Sequence, residues 1–107
     1  MTIAWSPHAR ALQDEILAQI RDALSAEDAV RWYERMCNVI EPLAGFPLIG
    51  SLIPDSCFQS VPDNADRLRQ IFCGPYRIVY EPVEDEIHIL SIRHSRMLVA
   101  EGDTEWN

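Results

Sequence analysis

Apolar residues recur every four positions at Leu12, Ile16, Ile20 and Leu24, with Leu17 beside them, while Asp14, Glu15, Arg21 and Asp22 fall largely elsewhere. That spacing predicts an amphipathic helix over about 7–24. Ser6-Pro7 supplies its start, because serine caps a helix and proline suits the first helical position. A second helical pattern follows at once. Ser25 with Asp28 three residues on is a capping-box arrangement, with aspartate in place of the preferred glutamate or glutamine. Ala29, Tyr33, Met36, Cys37, Ile40 and Leu43 form the apolar stripe of a helix over about 26–43. A link of only a residue or two predicts that the helices fold back as an antiparallel hairpin. Gly45 and Pro47 end the second helix. Residues 44–66, with Pro47, Pro54 and Pro62, read as a long loop holding at most one short extended piece, and loops of that length are often functional.

From Arg67 the period shortens to two. Leu68–Cys73, Tyr76–Glu81 and Glu86–Arg93 read as strands, separated by turns at Gly74-Pro75 and Pro82-Val83-Glu84-Asp85. Thr2–Trp5 is a short β-prone start. Alternation places Tyr76, Ile78 and Tyr80 on one face and Arg77, Val79 and Glu81 on the other. On the last strand it groups Ile87, Ile89 and Ser91 against His88, Leu90 and Ile92. Both faces carry apolar groups, so one packs on the helical hairpin and the other is only partly exposed. An apolar patch left on that second face would be a partner site. The order β-α-α-β-β-β predicts an α+β domain, a helical hairpin packed on a small antiparallel sheet. It spans residues 1–99 and is followed by an acidic, flexible tail over 100–107, AEGDTEWN, whose Trp106 either docks back or meets a partner.

The totals change this picture little. A chain of 107 residues is one domain with one modest core. No apolar run approaches the ~20 residues that cross a bilayer. Met1–Trp5 lacks the basic-then-apolar order of a signal peptide, so a cytoplasmic protein without membrane contact is expected. Cys37, Cys57 and Cys73 are odd in number and widely spaced, which argues against a disulfide framework, and no CxxC pair suggests zinc. Reduced, mostly buried thiols are expected, and no motif for a metal, a phosphate or a cofactor is present.

Charge adds more. The net charge is −8, all nine basic residues are arginine, and there is no lysine. Residues 1–66 carry ten acids and four arginines, 67–96 carry four acids and five arginines, and 97–107 carry three acids and no base. Taken alone, −8 disfavours nucleic acid as a partner. The planar guanidinium fork nevertheless suits carboxylates and phosphates, so Arg67, Arg69, Arg77, Arg93 and Arg96 form a candidate anion-binding face on an acidic body. The plainer reading is five surface arginines paired with local acids.

Several segments, in order and at matching spacing, make the chain resemble the RelE/ParE family of bacterial toxins over nearly its full length. IAWSPHARALQDEIL resembles the family's opening strand and Ser/Thr-Pro helix start, and 26–43 occupies its second helix. Phe46-Pro47-Leu48-Ile49-Gly50 resembles its Phe-Pro-x-x-Gly signature, although Ser51 stands where arginine commonly follows. Arg69 followed by Tyr76-Arg77-Ile78-Val79-Tyr80 resembles its strand signature, and Ile92-Arg93-His94-Ser95-Arg96 its closing histidine and arginine. The resemblance implies the toxin of a type II toxin-antitoxin pair, neutralised by a cognate antitoxin protein whose disordered segment folds onto it as a helix in a groove and an added strand. It leaves two targets open. RelE-type members cut messenger RNA in the ribosomal A site; ParE-type members poison DNA gyrase without being nucleases.

RNA cleavage by 2′-OH attack needs a base, an acid and cations around the phosphate. The candidates for that role are Arg69, Arg77, His94 and Arg96, with Tyr76 or Tyr80 adding a hydroxyl or a stacking surface. His94 is the natural titratable group. The plainer readings are a strand-end bond to a backbone carbonyl for His94, core packing for Tyr80, and a salt bridge to an acid such as Glu86 for Arg77. His8 and His88 have no comparable context. The missing lysines, the acidity and Ser51 favour the ParE-like reading, in which no catalytic residue is needed. Arg67, Arg69, Arg77, Tyr80, Arg93, His94 and Arg96 are then residues that bind the target or the antitoxin. A degenerate, non-toxic binding module is the remaining alternative.

Overall fold

The computed structural model describes residues 1–107. Helix α1 spans Pro7–Ala23. Ser6 caps it, its Oγ accepting from the Ala9 N–H at 3.0 Å and donating to the Leu90 carbonyl at 3.3 Å, so the cap also ties the helix to the sheet. Helix α2 spans Ala26–Ile40. Ser25 Oγ accepts from the Asp28 N–H at 3.0 Å and donates to the Asp28 carboxylate at 2.7 Å. That second bond, with help from Arg31, holds the Asp28 carboxyl below its ordinary pKa.

Helix α2 buries Trp32, Met36 and Ile40, and leaves Tyr33 exposed. The expected stripe through Tyr33 and Cys37 is thus rotated by one residue, because the bulkiest apolar group, Trp32, takes the inward place and sets its ring edge against Tyr76 at 5.4 Å. Its buried indole N–H has no acceptor, so Trp32 serves as ring area rather than as a donor. The helix also stops short of residue 43. Pro42 has no N–H and its ring crowds the preceding turn, so Glu41–Ala44 tightens into a 3-10 turn. On α1 the expected stripe ends early, with Leu24 outside the helix and exposed.

The strands are β1 (Thr2–Trp5), β2 (Ser51–Leu52), β3 (Arg69–Cys73), β4 (Tyr76–Val83) and β5 (Glu86–His94). They form one sheet in the order β1-β5-β4-β3-β2. The fold is α+β in the expected chain order, with β2 as the short extended piece in the long loop. The sheet is mixed rather than antiparallel, since β1 runs parallel to β5 with Ile3 opposite Ile87. Residue alternation carries no information on strand direction. The β4–β5 turn is also tighter than expected. Pro82 and Val83 pair with Ile87 and Glu86, leaving Glu84-Asp85 to turn, with Glu84 at φ 54°.

A bulge corrects the predicted faces of β5. Val79 lies opposite Ser91 but Tyr80 opposite Ile89, so Leu90 is an extra residue and the alternation slips there. Ile87, Ile89 and Ile92 consequently share the helix side, with Ala9, Ile16, Met36, Ile78 and Tyr80. Leu90 turns to the opposite side and joins Ile53, Phe58, Leu68, Val79 and Val99 in a second, smaller core. The second face of the sheet is therefore covered by the chain's own long loop and by Val99. All three cysteines are unbonded, and no helix is long and apolar enough to cross a membrane.

The tail differs from its expected looseness. Asp103 is buried, its carboxylate held by His8 Nε2 at 2.8 Å, by Arg93 Nε at 2.9 and 3.0 Å and by the Ala100 N–H at 3.1 Å. The Asn107 carbonyl accepts from the His8 N–H at 2.7 Å, and Trp106 lies against His88 with ring centroids 4.6 Å apart. Four hydrogen bonds from three partners compensate the desolvation of this buried carboxylate, which a reading of the tail's composition cannot reveal.

Candidate functional site

The seven residues singled out from the sequence separate into three groups. The first surrounds Tyr80. Pairing with Ile89 and Arg69 across the sheet aims it at the helix side, where it is fully buried. Its hydroxyl accepts from the Gly50 N–H and donates to the Pro47 carbonyl, both at 2.9 Å. Burial pushes the phenol above its ordinary pKa. Arg69 donates to the Gly50 carbonyl at 2.7 Å and to that of Leu48 at 3.4 Å. Tyr80 and Arg69 together fasten the loop that carries the Phe-Pro-x-x-Gly segment. Gly50 is required there, because a Cβ would stand 2.5 Å from the Gln70 carbonyl oxygen and 2.7 Å from the Tyr80 hydroxyl.

The second group is made of cations already engaged within the fold. Arg77 lies opposite Phe72 and Arg93 and between Tyr76 and Ile78, so it points away from the helices, to the face opposite Arg69. It is buried, donates to Gln70 Oε1 and to the Met97 carbonyl, both at 2.9 Å, and lies over the Phe72 ring. The expected partner, Glu86, is instead beside His88. Arg93 is committed to Asp103. Arg67, at the surface, pairs with Glu81 at 3.0 Å. The predicted anion-binding face is thus dispersed, since Arg69 and Arg77 project to opposite faces and two of the other three cations, Arg67 and Arg93, already have carboxylate partners.

The third group is available to solvent. Tyr76 and His94 lie opposite each other at the end of β4 and β5, with ring centroids 5.9 Å apart. His94 Nδ1 accepts from the Arg96 N–H at 3.1 Å, which leaves Nε2 as the ring nitrogen not engaged by the backbone. The Arg96 side chain is exposed. Beside them a groove of about 230 Å³ runs between α1 and the end of β5, lined by Leu12, Glu15, Ile16, Gln19, Tyr76 and Met97 among others. The larger cavity, about 530 Å³, lies between residues 60–67 and the tail. Its walls are polar, with Asp63, Glu101 and Glu105 around the single cation Arg67, and it lacks the apolar floor of a small-molecule site.

This arrangement offers an apolar groove with a histidine, an aromatic ring and one free arginine at its end. It does not bring Arg69 or Arg77 to His94. Sequence reasoning missed Glu15 and Gln19 as lining residues, since helix periodicity marks only which face is apolar. It also passed over His8, whose partner Asp103 is 95 residues away.

Comparison with known proteins agrees with this architecture. The family described as ParE toxin of type II toxin-antitoxin system, parDE, matches residues 3–99. Among solved structures, a chain of the chromosomal ParDE TA system from P. aeruginosa superposes with a TM-score of 0.69 at 20% sequence identity. The match covers 88% of this chain and 95% of that one. Curated protein sequences give no match. With the match to the family running from β1 to the segment beyond β5, the chain belongs to the ParE toxin family of type II toxin-antitoxin systems.

Proposed function

We propose that this ParE-family toxin acts by binding rather than by cutting RNA, with DNA gyrase as its cytoplasmic target, and that a cognate antitoxin neutralises it. The observation that carries this reading is the commitment of Tyr80 and Arg77. Both are buried, and both make their polar contacts inside the fold. A nuclease needs several groups converging on one phosphate. Here Arg69 and Arg77 project to opposite faces, and Arg93 is held by Asp103. A net charge of −8 without lysine also suits a protein target better than ribosomal RNA, whose binding depends on neutralising phosphates.

The antitoxin would lay an amphipathic helix along the groove beside α1 and add a strand to a sheet edge. Of the arginines first assigned to that contact, Arg96 and Arg67 are the exposed ones, so Arg96→Glu is the informative variant. Arg77→Glu would disturb the fold itself.

A second reading rests on His94. A histidine beside Tyr76 and a free Arg96 is the part of the molecule that a RelE-like, ribosome-dependent endoribonuclease would use. Induced expression without antitoxin, assayed for DNA breaks and for A-site messenger cuts, separates the two. Breaks without cuts are expected. Cuts without breaks would replace this reading with the nuclease, and a folded protein that arrests nothing would make the chain a non-toxic binding module.

A further inference from the structure

Residues 42–54, PLAGFPLIGSLIP, contain no ionisable side chain in a chain of net charge −8. Within them Phe46 is 68% exposed, Leu48 63%, Ile49 63% and Leu52 50%. These four side chains form a lip at the end of the sheet, where β2 pairs with β3 on one side only. The lip is held rigidly. The Tyr80 hydroxyl bridges Gly50 and Pro47, and Arg69 holds the Gly50 and Leu48 carbonyls. A segment fastened by buried polar groups while its apolar side chains face water is preorganised for a contact.

We propose that this lip is the contact between two copies of this chain, a twofold dimer in which the β2 edges meet. Charge selects the occupant. A strongly charged partner finds no complementary group along residues 42–54. Two copies of an acidic protein, in contrast, repel wherever carboxylates face each other, and screening relieves this only beyond ~8 Å. The uncharged lip lets two such chains touch without opposing like charges. An isologous contact pairs a patch with itself, and an apolar, electroneutral patch is complementary to itself. Val30, exposed on α2, does not meet this condition, since it sits among Glu27, Arg31 and Glu34. The four lip side chains offer on the order of 400 Å² per copy, about half the share of a standard stable interface, so only a weak, transient dimer is expected. This association is independent of the target.

Sedimentation velocity on the full chain, from micromolar to millimolar concentration, tests the proposal. A concentration-dependent dimer is expected, with dissociation raised about tenfold or more by Phe46→Glu or Leu48→Glu and unchanged by Val30→Glu. All three positions are exposed, and circular dichroism confirms that each variant is folded. Tyr80→Phe, which loosens the lip without altering its surface, should weaken the dimer by a smaller factor. A monomer at every concentration, including the case in which the lip serves a different protein, overturns the proposal. So does a dimer that survives both lip substitutions or that Val30→Glu disrupts equally.

Discussion

Tyr80 and Tyr76 stand on the same face of the same strand, four residues apart, and have opposite fates. Tyr80 is roofed by the loop over Pro47–Gly50, which takes both hydrogen-bonding capacities of its hydroxyl. Tyr76 is half-buried between Trp32 and His94, at an end of the sheet bordered only by a groove. Residue type and strand position are the same, so the difference comes from what the rest of the chain places above each ring. A polar aromatic group on a family-like motif is structural where its hydrogen bonds close within the fold, and a candidate for recognition where they remain open.

The largest effect should come from Gly50→Ala, at the Tyr80 end. The added methyl meets backbone at Gln70, and a loss of about 2–4 kcal/mol in urea unfolding is expected. Tyr80→Phe should follow at about 1–3 kcal/mol, because it strands the Gly50 N–H and the Pro47 carbonyl. At the other end, Tyr76→Phe, His94→Gln and Arg96→Glu should each move stability by no more than about 0.5 kcal/mol, while His94→Gln and Arg96→Glu lower the growth arrest caused by expression. A His94 variant that unfolds like the Tyr80 variant would break the comparison.

Smaller still are the pH effects. Burial raises Tyr80 above 10.0 and Cys73 above 9.0. Their protonated forms therefore favour the folded state below those values, and the contribution is lost as pH rises through the raised ones. Asp28 is lowered from 3.8, so its contribution is present above that value and lost as pH falls through the lowered one. Asp28→Asn should be slightly less stable than the parent at neutral pH, with the gap closing in acid, as thermal melts across the range would record.

The helix caps, the helical hairpin and the three-strand run were legible because each is written in local spacing: Ser6-Pro7, Ser25 with Asp28, and alternation from Arg67 onward. The bulge at Leu90 was not, since a one-residue slip leaves no local mark and shows only when Val79 and Tyr80 are matched with their partners. Nor was the burial of Arg77, which depends on Gln70 and on the Met97 carbonyl arriving from separate segments. The candidate site was half legible. His94 and Arg96 were found from their motif, but the groove beside them is built from α1, and the commitment of Arg93 from a tail whose acidic composition suggested solvent.

The parallel pairing of β1 with β5 sets the order in which the molecule can form. Ile3 waits for Ile87, and the α1–α2 hairpin, complete by Ile40, has no sheet to receive Ile16, Met36 and Trp32 until β4 and β5 exist. Contacts of such sequence separation are closed slowly. A chain emerging from the ribosome therefore carries an amphipathic hairpin with its apolar side uncovered. During synthesis that hairpin is open to chaperones, proteases and any antitoxin already present, before the sheet end bearing His94 has been made.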